Sequence, residues 1–203
     1  MENRRKFYPD GLWGKDTLQD RYQHVMGALD AYKNGILDDQ DLVFVIKNAF
    51  VSKIYVSKGV AKAYPAPQPV FGNLSGLYNQ LLKNRVLDLQ DTPPQLNTEY
   101  MKICELGGKV SNAKRAGKIP ANFPQIRVEH VVPADVFLKD VKQIATFNDF
   151  KKIFDAVSIC LVTENEAKQL DANHLRNSMP KGVVYTQNPF ARHKAAGVKV
   201  YGM

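Results

Sequence analysis

The hydrophobic repeat of this chain changes period near its midpoint, and that change constrains the fold more than any other feature. Up to Gly107-Gly108 the apolar residues recur at helical spacing; from Gln125 they alternate as in a strand. Thr17 is placed to cap a helix in which Leu18, Tyr22, Val25, Met26, Leu29 and Tyr32 share one face, and Gly35 ends it. Asp38-Asp39-Gln40-Asp41 starts a second helical segment, Leu42 to about Val56, apolar on most sides and therefore near the centre of the first core. Tyr64-Pro65-Ala66-Pro67-Gln68-Pro69 cannot be regular helix and reads as an extended connector. Asn73 opens a third helix carrying Leu74, Leu77, Tyr78, Leu81, Leu82 and Val86, stopped by Thr92-Pro93-Pro94. A fourth is predicted over about Leu96 to Leu106.

Beyond the glycine pair, Lys109, Lys114, Arg115 and Lys118 stand among small residues, ahead of Pro120 and Pro124. This is either a basic loop between two halves of the molecule or an ordinary solvated linker. Ile126, Val128 and Val131-Val132 predict a short strand broken by Pro133, and Phe147, Phe150, Ile153 and Phe154 predict a helix. Ala156 to Val162 is the strongest strand pattern in the chain. Thr163 then caps a helix, with Glu166 in the capping-box position and Leu170 on its apolar face. The expected fold class is α+β, with a helical region over 1–108 followed by a second region over 109–203.

Composition narrows the function. With 44% hydrophobic and 24% charged residues among 203, a packed core is expected. No apolar run is long enough to span a bilayer, and the basic N-terminus lacks the apolar stretch of a signal peptide. A cytoplasmic protein of a bacterial-type cell, without a membrane partner, is the expectation. Cys104 and Cys160 sit in apolar segments with no CxxC pair, so no structural zinc is expected and both read as buried free thiols. The net charge of +8 and the pI near 9.4 favour a polyanionic partner.

The chemistry-bearing segment is Val128-Glu129-His130-Val131-Val132-Pro133. An imidazole takes a proton from water near neutral pH, and the adjacent carboxylate is a hard ligand suited to Mg²⁺ or Mn²⁺. Strand neighbours point to opposite faces, so both groups reach one phosphate only where the backbone bends, as Pro133 and the loop after it would allow. Glu129-His130-Val131-Val132-Pro133 resembles the signature of HNH nucleases, and Ile159-Cys160-Leu161-Val162-Thr163 resembles their second strand, which leads into the metal-binding helix of the ββα-metal module. The resemblance covers about Arg127 to Pro180. It implies a Mg- or Mn-dependent DNA endonuclease with one divalent ion per active site. His130 would act as general base and Glu129 as metal ligand, leaving 5′-phosphate and 3′-hydroxyl ends.

The family's third letter, an Asn or His early in that helix, aligns with Ala167, which cannot bind metal. Asn165 through a shifted helix start, or Asp171 one turn on, would supply the ligand; otherwise Ala167 stands where a natural Asn or His has been replaced. Arg176 and Lys181 are candidate phosphate clamps. His174 either supports a residue of the metal site, contacts DNA or is a plain surface histidine. The tail around Arg192 and Lys194 suits either a phosphate-binding segment or a helix with a solvated face. A type II restriction enzyme acting on double-stranded DNA as a homodimer fits the combination of a nuclease module with a helical region. A toxin, homing or phage nicking enzyme, or a DNA-binding protein without catalysis, are the alternatives.

Overall fold

The structure, a computed structural model, describes residues 17–63, 86–88, 107–108, 110–117, 121–122 and 125–203. Helix α1 (Leu18–Lys33) starts on a full capping box, in which Thr17 accepts from the Asp20 amide and Asp20 accepts from Thr17. Gly35 follows it at φ +71°, the left-handed conformation that ends a helix cheaply only at glycine. Helix α2 (Asp39–Ala49) is capped by Asp38 and buries Leu42, Val45, Ile46 and Ala49. It stops at Ala49, short of the predicted end near Val56. Residues 53–56 instead form strand β1 (Lys53–Val56), followed by the short helix α3 (Lys58–Ala63). The predicted extension fails because Val51, Ile54 and Val56 have long-range partners that reward an extended backbone. Ser52 donates its amide and hydroxyl to the Val157 carbonyl, 105 residues away.

Val86, expected on a helix face, opens strand β2 (Val86–Asp88). The proline connector, most of the third helix, the fourth helix, Lys118 and Cys104 lie outside the described residues. Then come β3 (Ile126–His130), α4 (Ala134–Val141), α5 (Phe147–Ala156), β4 (Ile159–Thr163), α6 (Glu164–Ala172) and α7 (Ala191–Ala195). The four strands form one sheet in the order β2-β1-β4-β3. β1 pairs antiparallel with β2 and parallel with β4, and β3 pairs antiparallel with β4. The α+β class holds, and the sheet takes β1 and β2 from one side of residue 108 and β3 and β4 from the other.

Among the described residues, one apolar core is built by the helices and another packs on the sheet. One joins Val25, Leu29, Leu42, Ile46 and Phe50 with Phe137, Val141, Phe150 and Phe154, so α1, α2, α4 and α5 pack as one layer. The other joins Val131, Cys160 and Val162 with Ala167 and Leu170 of α6 and with Ala196, Val198 and Val200 of the tail. The strand alternation sorts these faces: Cys160 and Val162 point toward α6. At the end of α6, His174 takes φ +56° while Leu175 donates to the Leu170 carbonyl and His174 to that of Asp171. That is a Schellman closure, with histidine where glycine is usual. It drops Leu175 into the core and carries Arg176 and Asn177 back toward the end of β3. Among the described residues no helix is long and apolar enough to cross a membrane.

Candidate active site

The register of the β3–β4 pair fixes where the two motif residues start. Glu129 lies opposite Cys160 and His130 opposite Ile159, so along a flat strand they leave on different faces. β3 is an outer strand of the sheet, however, and both residues line one cavity of about 260 Å³. Lys47 of α2, Pro133, Ala134 and Asp135 at the start of α4, Arg176 and Asn177 after α6, and Arg192 of α7 complete it. The chain turns only after β3, where Pro133 becomes the N-cap residue of α4, and Glu129 and His130 both stay in register within the strand.

His130 sits on the face toward α2 and α4, its ring 6.3 Å from that of Phe137. Part of the residue is exposed, but Nε2 itself is closed to solvent and has no hydrogen-bond partner. Burial pushes the imidazole pKa down to about 4, the Lys47 charge lowers it further, the nearby Lys47 backbone opposes the shift, and the Arg192 charge adds to it. The ring is neutral at pH 7.

Glu129 leaves on the other face and meets Arg192 at 3.5 Å, with about a quarter of its side chain exposed. Arg192 was expected to touch DNA, but it is 1% exposed and spends its guanidinium inside the protein. Nε donates to the Val131 carbonyl at 2.9 Å, and Nη1 to the carbonyls of Leu175 at 2.9 Å and Arg176 at 3.2 Å. Nη2 donates to the His130 carbonyl. One planar fork thus ties the end of β3 to the turn that carries Arg176 and Asn177. Burial lowers its pKa, and the Glu129 carboxylate opposes that shift.

The remaining candidates scatter. Arg176 lines the cavity and lies 3.8 Å from exposed Asp171, which is not part of the lining. Asn165 and Lys114 line a separate cavity of about 420 Å³. Ala167 is 7% exposed and packs against Leu170, Cys160 and Val162. Arg115, Lys181 and Lys194 are exposed and line neither cavity. Sequence reasoning missed Lys47, Asp135 and Asn177. Asp135 had a local cue, five residues past His130 in the first turn after a proline. Lys47 had none. Cys160 is a buried free thiol whose pKa burial pushes up, as expected of a core residue.

Oxygen donors suited to a hard cation are present in the cavity as Glu129, Asp135 and Asn177. Among the described residues no group of three or more His, Cys, Asp or Glu is assembled to hold a metal. No family model, curated protein or solved structure matches this chain.

Proposed function

We propose that the protein is a divalent-metal-dependent DNA endonuclease of the HNH kind, sequence-specific in the manner of type II restriction enzymes. The observation that carries this reading is the convergence of Glu129 and His130 on one cavity whose other charged lining is mostly basic. Lys47, Arg176 and Arg192 outnumber Glu129 and Asp135 there. The antiparallel β3–β4 pair with α6 packed across it is compatible with a ββα module. Supporting it further is a neutral imidazole whose bare Nε2 lacks the partner that buried nitrogens normally have.

A divalent ion fits the donor set. Mg²⁺ takes one or two carboxylates and fills its remaining positions with water and substrate phosphate, so a three-residue cluster is not required. Glu129, with Asp135 and Asn177, would hold it; bound there, it would supply charge stabilisation at the phosphate and its leaving oxygen. His130 would accept the proton of the attacking water at Nε2, which is closed to solvent here and would have to be opened by a shift of the ring as substrate arrives. Arg176 would hold the flanking phosphate, while Arg192 orients Glu129 and holds the Asn177 turn. Hydrolysis by this route leaves 5′-phosphate and 3′-hydroxyl ends, and palindromic cut sites would go with a two-fold dimer.

The test is plasmid cleavage with Mg²⁺ or Mn²⁺, followed by mapping of the ends. His130→Ala is expected to lower the rate by about 10²-fold or more while DNA binding stays within a few-fold. Equal cleavage by the variant and its parent overturns the assignment. A DNA-binding protein without catalysis is the second reading, favoured by the burial of Ala167 where the family carries a ligand. DNA affinity independent of Mg²⁺, with no cutting by the parent, decides for it.

A further inference from the structure

The second cavity lies at the opposite end of β3 from His130. Its lining is Gly59, Lys114, Ala121, Asn122, Gln125, Thr163, Glu164, Asn165 and Lys168, and its volume of about 420 Å³ falls within the roughly 300–1,000 Å³ of ligand pockets. Three of these side chains are amides, and amides read base edges through paired donors and acceptors. Gln125 is oriented, its Nε2 donating to Ser111 Oγ at 2.6 Å. Two lysines against Glu164 leave the lining net positive, and Glu164 is further balanced by Arg127 at 3.5 Å. Glu166 is not part of the lining. Its carboxylate is taken up behind the wall by Ser57 Oγ, the Gly59 amide, and the amide and hydroxyl of Thr163. That close seat also explains Gly59, where a Cβ would overlap the Glu166 carboxylate.

We propose that this cavity is a DNA-reading subsite, in which Asn122, Gln125 and Asn165 meet base edges while Lys114 and Lys168 hold the adjoining phosphates. The inference rests on the nuclease reading of the first cavity. Gln125 stands four residues before Glu129, about 13 Å along the strand at about 3.3 Å per residue. Along a duplex axis that is about four base steps at about 3.4 Å each. For a duplex whose axis runs along β3, contacted bases would lie about four positions from the cut. Asn165, a metal-ligand candidate by sequence, contacts the substrate in this arrangement instead.

The experiment compares the full-length parent, Asn165→Ala, Lys114→Ala/Lys168→Ala and a control, Lys151→Ala on distant α5, using random-sequence duplexes with Mg²⁺ and sequencing the cleaved ends. Expected for Asn165→Ala is relaxed base preference about four steps from the cut, with the cut geometry unchanged. For the double variant, DNA affinity should fall about tenfold or more, and the salt slope of binding should flatten by nearly two, at about 0.9 per lost phosphate contact. The control should match the parent. Unchanged end sequences and an unchanged salt slope, in a parent that cuts, overturn the subsite and leave the nuclease standing. A parent that binds but does not cut removes the nuclease reading, and the salt slope then still decides the subsite. A parent that does neither overturns both.

Discussion

At the scale of single residues, His130 carries the most consequence. Its pKa of about 4 is set by burial and by two nearby cations, and it alters how activity should depend on pH. An ordinary imidazole loses its base form below about pH 6.5. This one stays unprotonated well below that, so kcat/KM for DNA should hold flat from about pH 8 down to about pH 5 before it falls. An acid limb centred near 6.5 would remove His130 from the role of base. Stability runs the same way for a separate reason. Between about 4 and 6.5 the unfolded chain binds a proton at His130 that the folded chain does not, so stability rises with pH through that window and is lost on acidification. His193 adds to the effect: it is fully buried, neither ring nitrogen has a partner, and burial pushes its pKa down to about 3. Thermal midpoints should therefore drop as the pH falls from about 6.5 toward 4, and His130→Asn should shallow the drop. A variant as acid-sensitive as its parent would show that other groups govern it.

At the scale of elements, α6 separates what the sequence revealed from what it hid. Thr163 and Glu166 predicted its start from local spacing alone, and the capping box is there. Counting from the cap picked out Ala167, but spacing alone could not show that this position faces the core. Ala167 and Leu170 are its core residues, facing Cys160 and Val162. Replacing Ala167 by Asn would bury an amide with no room and no partner, costing about 1–3 kcal/mol for the unmet hydrogen bonds and a similar amount for overpacking. The expected outcome is a lower Tm and no gain in cleavage; a rise in activity would mean that this side of the helix does face a metal. The same contrast runs through the fold. Thr17 and Asp20 announce α1 because a cap is a local device. The stretch Val51 to Val56 reads equally well at either period, and its strand state depends on β4, more than a hundred residues away. Glu129 and His130 were legible as neighbours in a short motif. Lys47, Asp135 and Asn177 join them only through tertiary packing.

At the scale of the whole molecule, the sheet decides whether the chain has one folding unit or two. The expected division put a helical region over 1–108 and an HNH-like nuclease region over 109–203. The sheet runs across residue 108, because β4 is flanked by β3 on one side and by β1 on the other. Removing the first half strips β1 from β4 and exposes the edge of a strand whose residues Ile159 to Val162 are all buried. It also takes Val25, Leu29, Leu42, Ile46 and Phe50 from the core that holds Phe137, Phe150 and Phe154. At about 25 cal/mol per Å² of apolar surface, that loss outweighs the marginal stability of a fragment of this size. The cavity at Glu129 and His130 would lose Lys47 from its lining. A fragment of residues 109–203 is therefore expected to show no cooperative thermal transition and no cleavage. The full chain should unfold in one step, with far-UV and near-UV circular dichroism giving the same midpoint. A fragment that melts cooperatively at the temperature of the full chain would mean that the parallel β1–β4 pairing adds little, and that residues 109–203 fold without the first half.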